Sequence, residues 1–268
     1  MKGINLITQT FSSVRAEGRA ALMPYFTLGY PTSDLSLQIV AAIAAAGADL
    51  IELGIPFSDP LADGPTIQRS TQVALENGMN VRHCLELVLR LRHHGVTQPL
   101  LLMGYYNPII AYGVPGFVAA AAEAGADGFI IPDLPPEEAG EMESLCRDYQ
   151  LALVHMLAPT STAGRIRMVA DRSSGFVYLV SLTGVTGARR ELAADLEAFV
   201  TRVKQVASLP VAVGFGISTP EQARAVGGIA DGVIVGSALI NAVNQAEDPC
   251  QAAQEFTRAL RSALENGG

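Results

Sequence analysis

Lysine is almost missing from this sequence. Lys2 lies at the terminus and Lys204 in a helical segment of the outer layer, and there is no third, so no amine is placed to form a Schiff base with a carbonyl substrate inside a core. Histidine is scarce too. His83, His93 and His94 fall on or at the end of one helical segment, and His155 stands in a strand with no ligand type beside it, which argues against metal-assisted chemistry. His155 is expected to serve structure, or to support the site from behind. Cys84, Cys146 and Cys250 are odd in number and far apart, a pattern that suits reduced, buried thiols better than disulfides or a metal cage. No run of about 18 apolar residues occurs, and the N-terminal MKGINLITQTF has neither the apolar centre nor the small-residue cleavage site of a signal peptide. A soluble, cytoplasmic protein is expected. Its formal charge of -8, with arginines scattered rather than gathered in a stripe, would repel a polyanion, so neither nucleic acid nor membrane is an expected partner.

What is present is apolar material in a repeating order. Of 268 residues 49% are hydrophobic and 16% charged, enough for one large core, and the expectation is a single domain over 1–268. Short β-branched or Leu-rich runs alternate with amphipathic segments, the pattern of βα units around a parallel sheet. Eight strands are expected, at Ala21–Thr27, Asp49–Leu53, Pro99–Tyr105, Gly128–Pro132, Leu151–Leu157, Phe176–Ser181, Pro210–Gly214 and Gly232–Val235. That count points to an α/β fold closed as a single (β/α)8 TIM barrel. Between strands, Val81, Cys84, Leu85, Val88 and Leu91 recur at helical spacing, with Asn80 as N-cap and Gly95 as stop. A terminal helix should start at Asp248-Pro249 and bury Phe256, Leu260 and Leu264. Ala-Gly-Ala-Asp precedes strands at 46–49 and 124–127, with a looser version at 228–231. Each reads as a helix-ending glycine, a short turn and a strand start.

In such barrels the chemistry sits at the C-terminal ends of the strands. Glu52 lies there, and two-residue alternation puts it on the same face as Leu50. A carboxylate facing the interior would lose solvation and exchange a proton near neutral pH. From the strand alone the opposite register, with Glu52 toward solvent or a helix, stands equally. The segment after it, residues 54–65, carries three prolines and two glycines, stiff enough to hold Asp59 and Asp63 in place, although Asp63-Gly64 also reads as an ordinary turn. Glycines follow the sixth, seventh and eighth expected strands, at Gly184 and Gly187, Gly214 and Gly216, and Gly236-Ser237. Backbone N–H groups there and a helix N-terminus favour a phosphate ester.

The segment LIELGIPFSDPLADGPTIQ (50–68) closely resembles the signature of tryptophan synthase alpha subunits. It is joined in order by LLMGYYN (101–107), YLVS (178–181), GVTG (184–187), GFGIS (214–218) and Gly236-Ser237. The resemblance covers essentially the whole chain, including an extra N-terminal helix ahead of the barrel. It implies cleavage of indole-3-glycerol phosphate to indole and glyceraldehyde 3-phosphate, in tryptophan biosynthesis, with no cofactor. It implies Glu52 as the acid/base group and Asp63 as the partner of the indole N–H. By the same resemblance Tyr25, Tyr105, Tyr178 and Thr186 bind substrate, while Gly187, Phe215, Gly216, Gly236 and Ser237 hold its phosphate. For Tyr25, where the family often has phenylalanine, simple core packing is the alternative. The loop Leu182–Ala194 would act as a lid, and Arg189 and Arg190 either meet the phosphate or lie in solvent. A beta subunit, in an alpha2beta2 complex, is the implied partner, met by Pro56, Asp59 and Asn107. The chain has no tryptophan, which suits an enzyme needed when that amino acid is short. Two alternatives are a free-standing indole-3-glycerol-phosphate lyase and a non-catalytic barrel that binds a phosphosugar.

Overall fold

The computed structural model describes residues 2–180, 189–214 and 216–265, and only the backbone of residues 189–194. Its strands are β1 (Ala21–Thr27), β2 (Ile51–Gly54), β3 (Leu100–Met103), β4 (Gly128–Ile130), β5 (Ala152–Val154), β6 (Met156–Leu157), β7 (Val177–Val180), β8 (Val211–Gly214) and β9 (Gly232–Val235). The helices, in chain order, are α1 (Ile4–Ala16), α2 (Ser33–Ala45), α3 (Pro65–Glu76), α4 (Val81–His93), α5 (Tyr106–Tyr112), α6 (Val114–Ala124), α7 (Gly140–Asp148), α8 (Ala163–Arg172), α9 (Arg189–Lys204), α10 (Pro220–Gly227), α11 (Ser237–Gln245) and α12 (Pro249–Glu265).

All strand pairs are parallel, in the order β5-β4-β3-β2-β1-β9-β8-β7-β6. The count of nine, where eight were expected, has a local cause. β5 and β6 are the two halves of the expected strand Leu151–Leu157, interrupted at His155. The first half pairs with β4 and the second with β7, while the His155 carbonyl accepts from the Tyr178 N–H at 3.1 Å. The two ends of the sheet are therefore one continuous segment, and the sheet comes round into a TIM barrel with α1 lying ahead of it.

Alternation along the strands sorts the core into an inside and an outside. In β8, Val211 and Val213 join the apolar layer under the outer helices, with Val177 and Leu179 of β7 and Val233 and Val235 of β9. Ala212, Tyr178 and Ile234 belong instead to the cluster that includes Met23 and Tyr25. Fully burying a large apolar side chain stabilises by roughly 1.5–3 kcal/mol, so this two-sided burial is what holds such short strands together. At the helix ends, the Asn80 side chain accepts from the His83 N–H at 3.1 Å, and Asp248 Oδ1 accepts from the N–H groups of Cys250 and Gln251, each at 3.0 Å. Leu260 and Leu264 of α12 are buried as expected, but Phe256 is only half-buried. Cys84 and Cys146 are buried free thiols, whereas Cys250 is also only partly covered.

The repeated Asp before strands has a common task at the bottom of the barrel. Asp49 Oδ2 accepts from the Leu22 N–H (2.8 Å), Asp127 Oδ2 from the Leu100 N–H (2.9 Å) and Asp231 Oδ2 from the Val211 N–H (2.9 Å). Each aspartate thus pins the strand before it in the chain, and each has a cation: Arg19 for Asp49, Arg92 for Asp127, Lys204 for Asp231. The third repeat departs in its glycine. Gly47 and Gly125 have φ of 99° and 93°, in the left-handed region, whereas Gly228 sits at φ -70°, where any residue fits.

Candidate active site

Glu52 of β2 and Tyr25 of β1 are register partners, and partners in a parallel sheet project to the same face. Both enter the barrel. That settles the register left open by the sequence, because Glu52 and Tyr25 line one cavity together with Tyr178 of β7 and Ile234 of β9. Glu52 is fully buried, and among the described residues neither of its carboxylate oxygens has a hydrogen-bond partner. Loss of hydration with no compensating donor pushes its pKa up to about 8. The side chain therefore keeps its proton at neutral pH and can give it up without losing a structural bond.

Asp63 is brought to the same place by the stiff loop after β2. Its N–H donates to the Pro60 carbonyl at 3.1 Å, the Leu61 N–H to the Asp59 carbonyl at 3.0 Å, and the Ala62 N–H to Tyr105 Oη at 2.9 Å. Gly64 then caps α3, with Pro65 in its first turn. Burial raises Asp63 to about 6, and a hydrogen bond from the Tyr105 hydroxyl offsets part of that rise. The two carboxyls thus differ near neutral pH, one protonated and one mostly charged, the separation that lets a pair divide acid and base work.

Both line a cavity of about 470 Å³, within the range of small-molecule sites. Tyr25, Tyr178, Gly216, Gly236 and Ser237 line it with them. α11 begins at Ser237, and no side chain among the described residues caps it. Its first-turn N–H groups are left for an anion, favoured further by the helix dipole. Gly216 has φ +76°, a conformation that suits glycine.

Gly54, expected in the stiff loop, and Gly214, expected at a strand end beside the phosphate glycines, have another use here. A Cβ at Gly54 would lie 2.1 Å from the Tyr25 hydroxyl oxygen, and one at Gly214 would lie 2.2 Å from that of Tyr178. Each strand-end glycine leaves the space that a neighbouring tyrosine fills. The Tyr178 hydroxyl is raised well above its usual pKa by burial and then by the charges of Glu52 and Asp63, and Tyr25 is raised by burial, Asp63 and Glu52.

Other expected positions lie elsewhere. Tyr105 is not among the cavity-lining residues; it stands behind the Asp63 loop, with its ring 5.4 Å from that of Phe57. Thr186, Gly187 and Phe215 lie outside the described residues, as do the side chains of Arg189 and Arg190 and most of the loop Leu182–Ala194. Pro56 is buried in this chain, while Asp59 and Asn107 are exposed. They share their elements with two exposed apolar side chains, Leu61 on the loop and Ile110 on α5. His155 faces the outer layer: its Nε2 lies 3.4 Å from Glu143, which Arg172 grips through both carboxylate oxygens. It does not line the cavity. Among the described residues no cluster of three or more His, Cys, Asp or Glu is placed to hold a metal ion, and no helix is long and apolar enough to cross a membrane.

Several lining residues left no mark in the sequence. Ile67 comes from α3, Asn241 and Gln245 from α11, and Phe256 from α12, whose spacing reads as ordinary outer-layer packing. The half-exposure of Phe256 has its explanation in this contact.

A family model described as tryptophan synthase alpha chain matches residues 11–267. The tryptophan synthase alpha chain of Roseiflexus sp. (strain RS-1) is 53% identical over 257 residues, covering 95% of this chain and 98% of that one. Its counterpart from Chloroflexus aurantiacus is 52% identical over 260 residues, covering 96% and 98%. Among solved structures, tryptophan synthase subunit alpha from Legionella pneumophila str. Paris superposes with a TM-score of 0.91 at 39% identity, over 97% of this chain and 98% of that one.

Proposed function

Since the chain belongs to the tryptophan synthase alpha chain family, we propose that its two cavity carboxyls, Glu52 and Asp63, cleave indole-3-glycerol phosphate into indole and glyceraldehyde 3-phosphate. Protonated Glu52 delivers its proton to ring carbon 3, which places positive charge on the ring nitrogen. The Asp63 carboxylate stabilises that charge through the indole N–H. The Glu52 carboxylate then takes the proton of the hydroxyl on the carbon attached to the ring. The carbon-carbon bond breaks, its electron pair returns to the ring, and the carbon that carried the hydroxyl becomes the aldehyde. Glu52 ends as it began, and indole itself is the electron sink, so this chemistry requires no cofactor. The phosphate lies against Gly216, Gly236 and Ser237, with Gly187 and Phe215 proposed beside it, and Thr186 orients Asp63. Tyr25 and Tyr178 pack the ring and the glyceryl chain.

One observation carries this reading: a fully buried glutamate at the cavity wall with both carboxylate oxygens unpartnered among the described residues. A structural glutamate in that position would be bonded or replaced, because an unsatisfied buried carboxyl costs several kcal/mol when it ionises. The beta subunit is the proposed partner, in an alpha2beta2 heterotetramer within the cytoplasm, and it meets the face carrying Asp59 and Asn107, with Pro56 beneath. The whole chain, 1–268, acts as one domain.

Incubating the purified chain with indole-3-glycerol phosphate, with and without a beta subunit, tests the reading. Slow release of indole that rises on mixing is expected. A vigorous rate without the beta subunit identifies a free-standing lyase instead. No indole in either arm, or unchanged release by Glu52→Gln, would return the site to a non-catalytic phosphosugar binder.

A further inference from the structure

A chain of buried hydroxyls runs from the cavity wall into α3. Tyr25 Oη lies 3.4 Å from Thr27 Oγ1, Thr27 Oγ1 lies 2.7 Å from Ser70 Oγ, and Ser70 Oγ donates to the Ile67 carbonyl at 2.8 Å. Thr27 and Ser70 are buried, and neither lines the cavity. The direction of the whole chain follows from its last member. A carbonyl can only accept, and a hydroxyl has one proton. Ser70 spends its proton on Ile67, so it accepts from Thr27. Thr27 spends its proton on Ser70, so it can only accept from Tyr25. The phenol proton of Tyr25 is thereby drawn along β1 and away from the cavity.

We propose that Ser70 is a positioning residue for the acid/base centre: acting through Thr27, it orients the Tyr25 hydroxyl so that only oxygen lone pairs face Glu52 and Asp63. A phenol that can only accept gives no support to a carboxylate and favours a protonated carboxyl, whereas one that donates would favour the charged form. The reacting glutamate must begin with a proton, and this arrangement helps it keep one. The inference rests on the acid/base reading of Glu52 given above. The titratable groups facing Tyr25 are Glu52 from β2, Asp63 from the loop before α3, and Tyr105 from the end of β3; Tyr178 of β7 interacts with Tyr25 in turn. Gly54, whose missing side chain leaves the space occupied by Tyr25 Oη, completes the seat of the hydroxyl.

Removing the acceptor at Ser70 should reverse the chain. In Ser70→Ala, the Thr27 proton turns to Tyr25 Oη, and the phenol proton turns into the cavity. In Thr27→Val, Tyr25 loses its acceptor and its proton turns the same way. The readout is the carboxyl stretch in infrared titration of the substrate-free protein, with bands assigned by Glu52→Gln and Asp63→Asn. Both variants are expected to weaken proton binding at these carboxyls about three- to tenfold, moving the titration to lower pH. In the Tyr25→Phe background, Ser70→Ala should leave the titration where it is. Unmoved bands in Ser70→Ala and Thr27→Val would overturn the proposal, and so would an equal shift in the Tyr25→Phe background, which would mean that α3 moves as a whole. The titration uses no substrate, so its failure leaves the proposed reaction standing. Failure of wild-type protein to release indole would sink the reaction and leave the hydroxyl chain intact.

Discussion

Tyr105 acts on the Asp63 loop in two ways through one hydroxyl: its oxygen accepts from the Ala62 N–H at 2.9 Å, and the hydroxyl holds down the pKa of the Asp63 carboxyl against the rise that burial causes. A single phenol thus sets the backbone one residue before the carboxylate and lowers the proton affinity of the carboxylate itself. The placement explains how a residue outside the cavity contributes to the cavity's charge.

Tyr105→Phe should therefore alter both. The loop loses an anchor, and Asp63, already raised to about 6, loses the donor that opposes the rise. We expect kcat to fall about tenfold, in line with the loss of one preorganised hydrogen bond. The acidic limb of the kcat/KM profile should move to higher pH, because in the proposed reaction the rate depends on ionised Asp63. An acidic limb that stays in place would detach Tyr105 from Asp63.

Glu52→Gln should lower indole release by about a hundredfold or more, and Asp63→Asn should do likewise, as for loss of an acid/base group or a charge stabiliser. Glu52→Gln carries a second signature in stability. The folded-state pKa of Glu52, about 8, exceeds its usual 4.5, so the folded chain holds the proton more tightly and wild-type stability falls as pH rises between those values. The glutamine variant has no such loss. Urea unfolding at intervals from pH 5 to pH 9 should show the variant gaining on the wild type up to about pH 8 and the difference levelling off above it, at about 1–4 kcal/mol. A constant difference across the range would contradict a buried acid at this position.

Gly54→Ala should disable the site without unfolding the protein. The new Cβ meets the Tyr25 ring and hydroxyl at 2.1–2.9 Å, so the tyrosine must swing aside at a cost of about 1–3 kcal/mol. Gly140→Ala, where a Cβ has nothing within 4 Å at the start of α7, provides the control. Indole-release assays on both proteins should show a large loss for the first and wild-type rates for the second. Equal rates would mean that Tyr25 is not seated where β1 and β2 place it.

Asp127→Ala should damage stability and spare chemistry. Asp127 is buried, accepts from the Gly3 N–H (2.6 Å) and the Leu100 N–H (2.9 Å), and pairs with Arg92 at 2.5 Å, at the end of the barrel away from the cavity. Breaking such a pair leaves an uncompensated cation and costs about 3–5 kcal/mol. A urea midpoint far below that of wild type is expected, with kcat of the folded fraction retained. A wild-type midpoint would show that the repeated aspartate is dispensable.

Much of this architecture was readable beforehand, and the reasons are local. Strand edges at Ala21–Thr27 and Gly232–Val235 coincide with expectation, because apolar runs of strand length are bounded there by glycine-bearing turns. The break at His155 was not readable, since the run Leu151–Leu157 has uniform strand character and only the change of neighbour from β4 to β7 interrupts it. Tyr105 and Tyr25 looked alike as aromatic residues at strand ends. One lines the cavity and the other braces a loop, a difference set by what packs against each ring.

Hydrophobic periodicity and glycine and proline placement pointed to a (β/α)8 chain, because those features express backbone preferences carried within a few residues, and the long motif around Glu52 pointed to its two candidate carboxyls through family resemblance. The inward aim of Glu52, the recruitment of Phe256 from α12 and the one-way hydroxyl path from Tyr25 to Ser70 were decided only by tertiary structure. Burial and hydrogen-bond direction depend on groups far apart in the chain, and those meet only when the barrel closes.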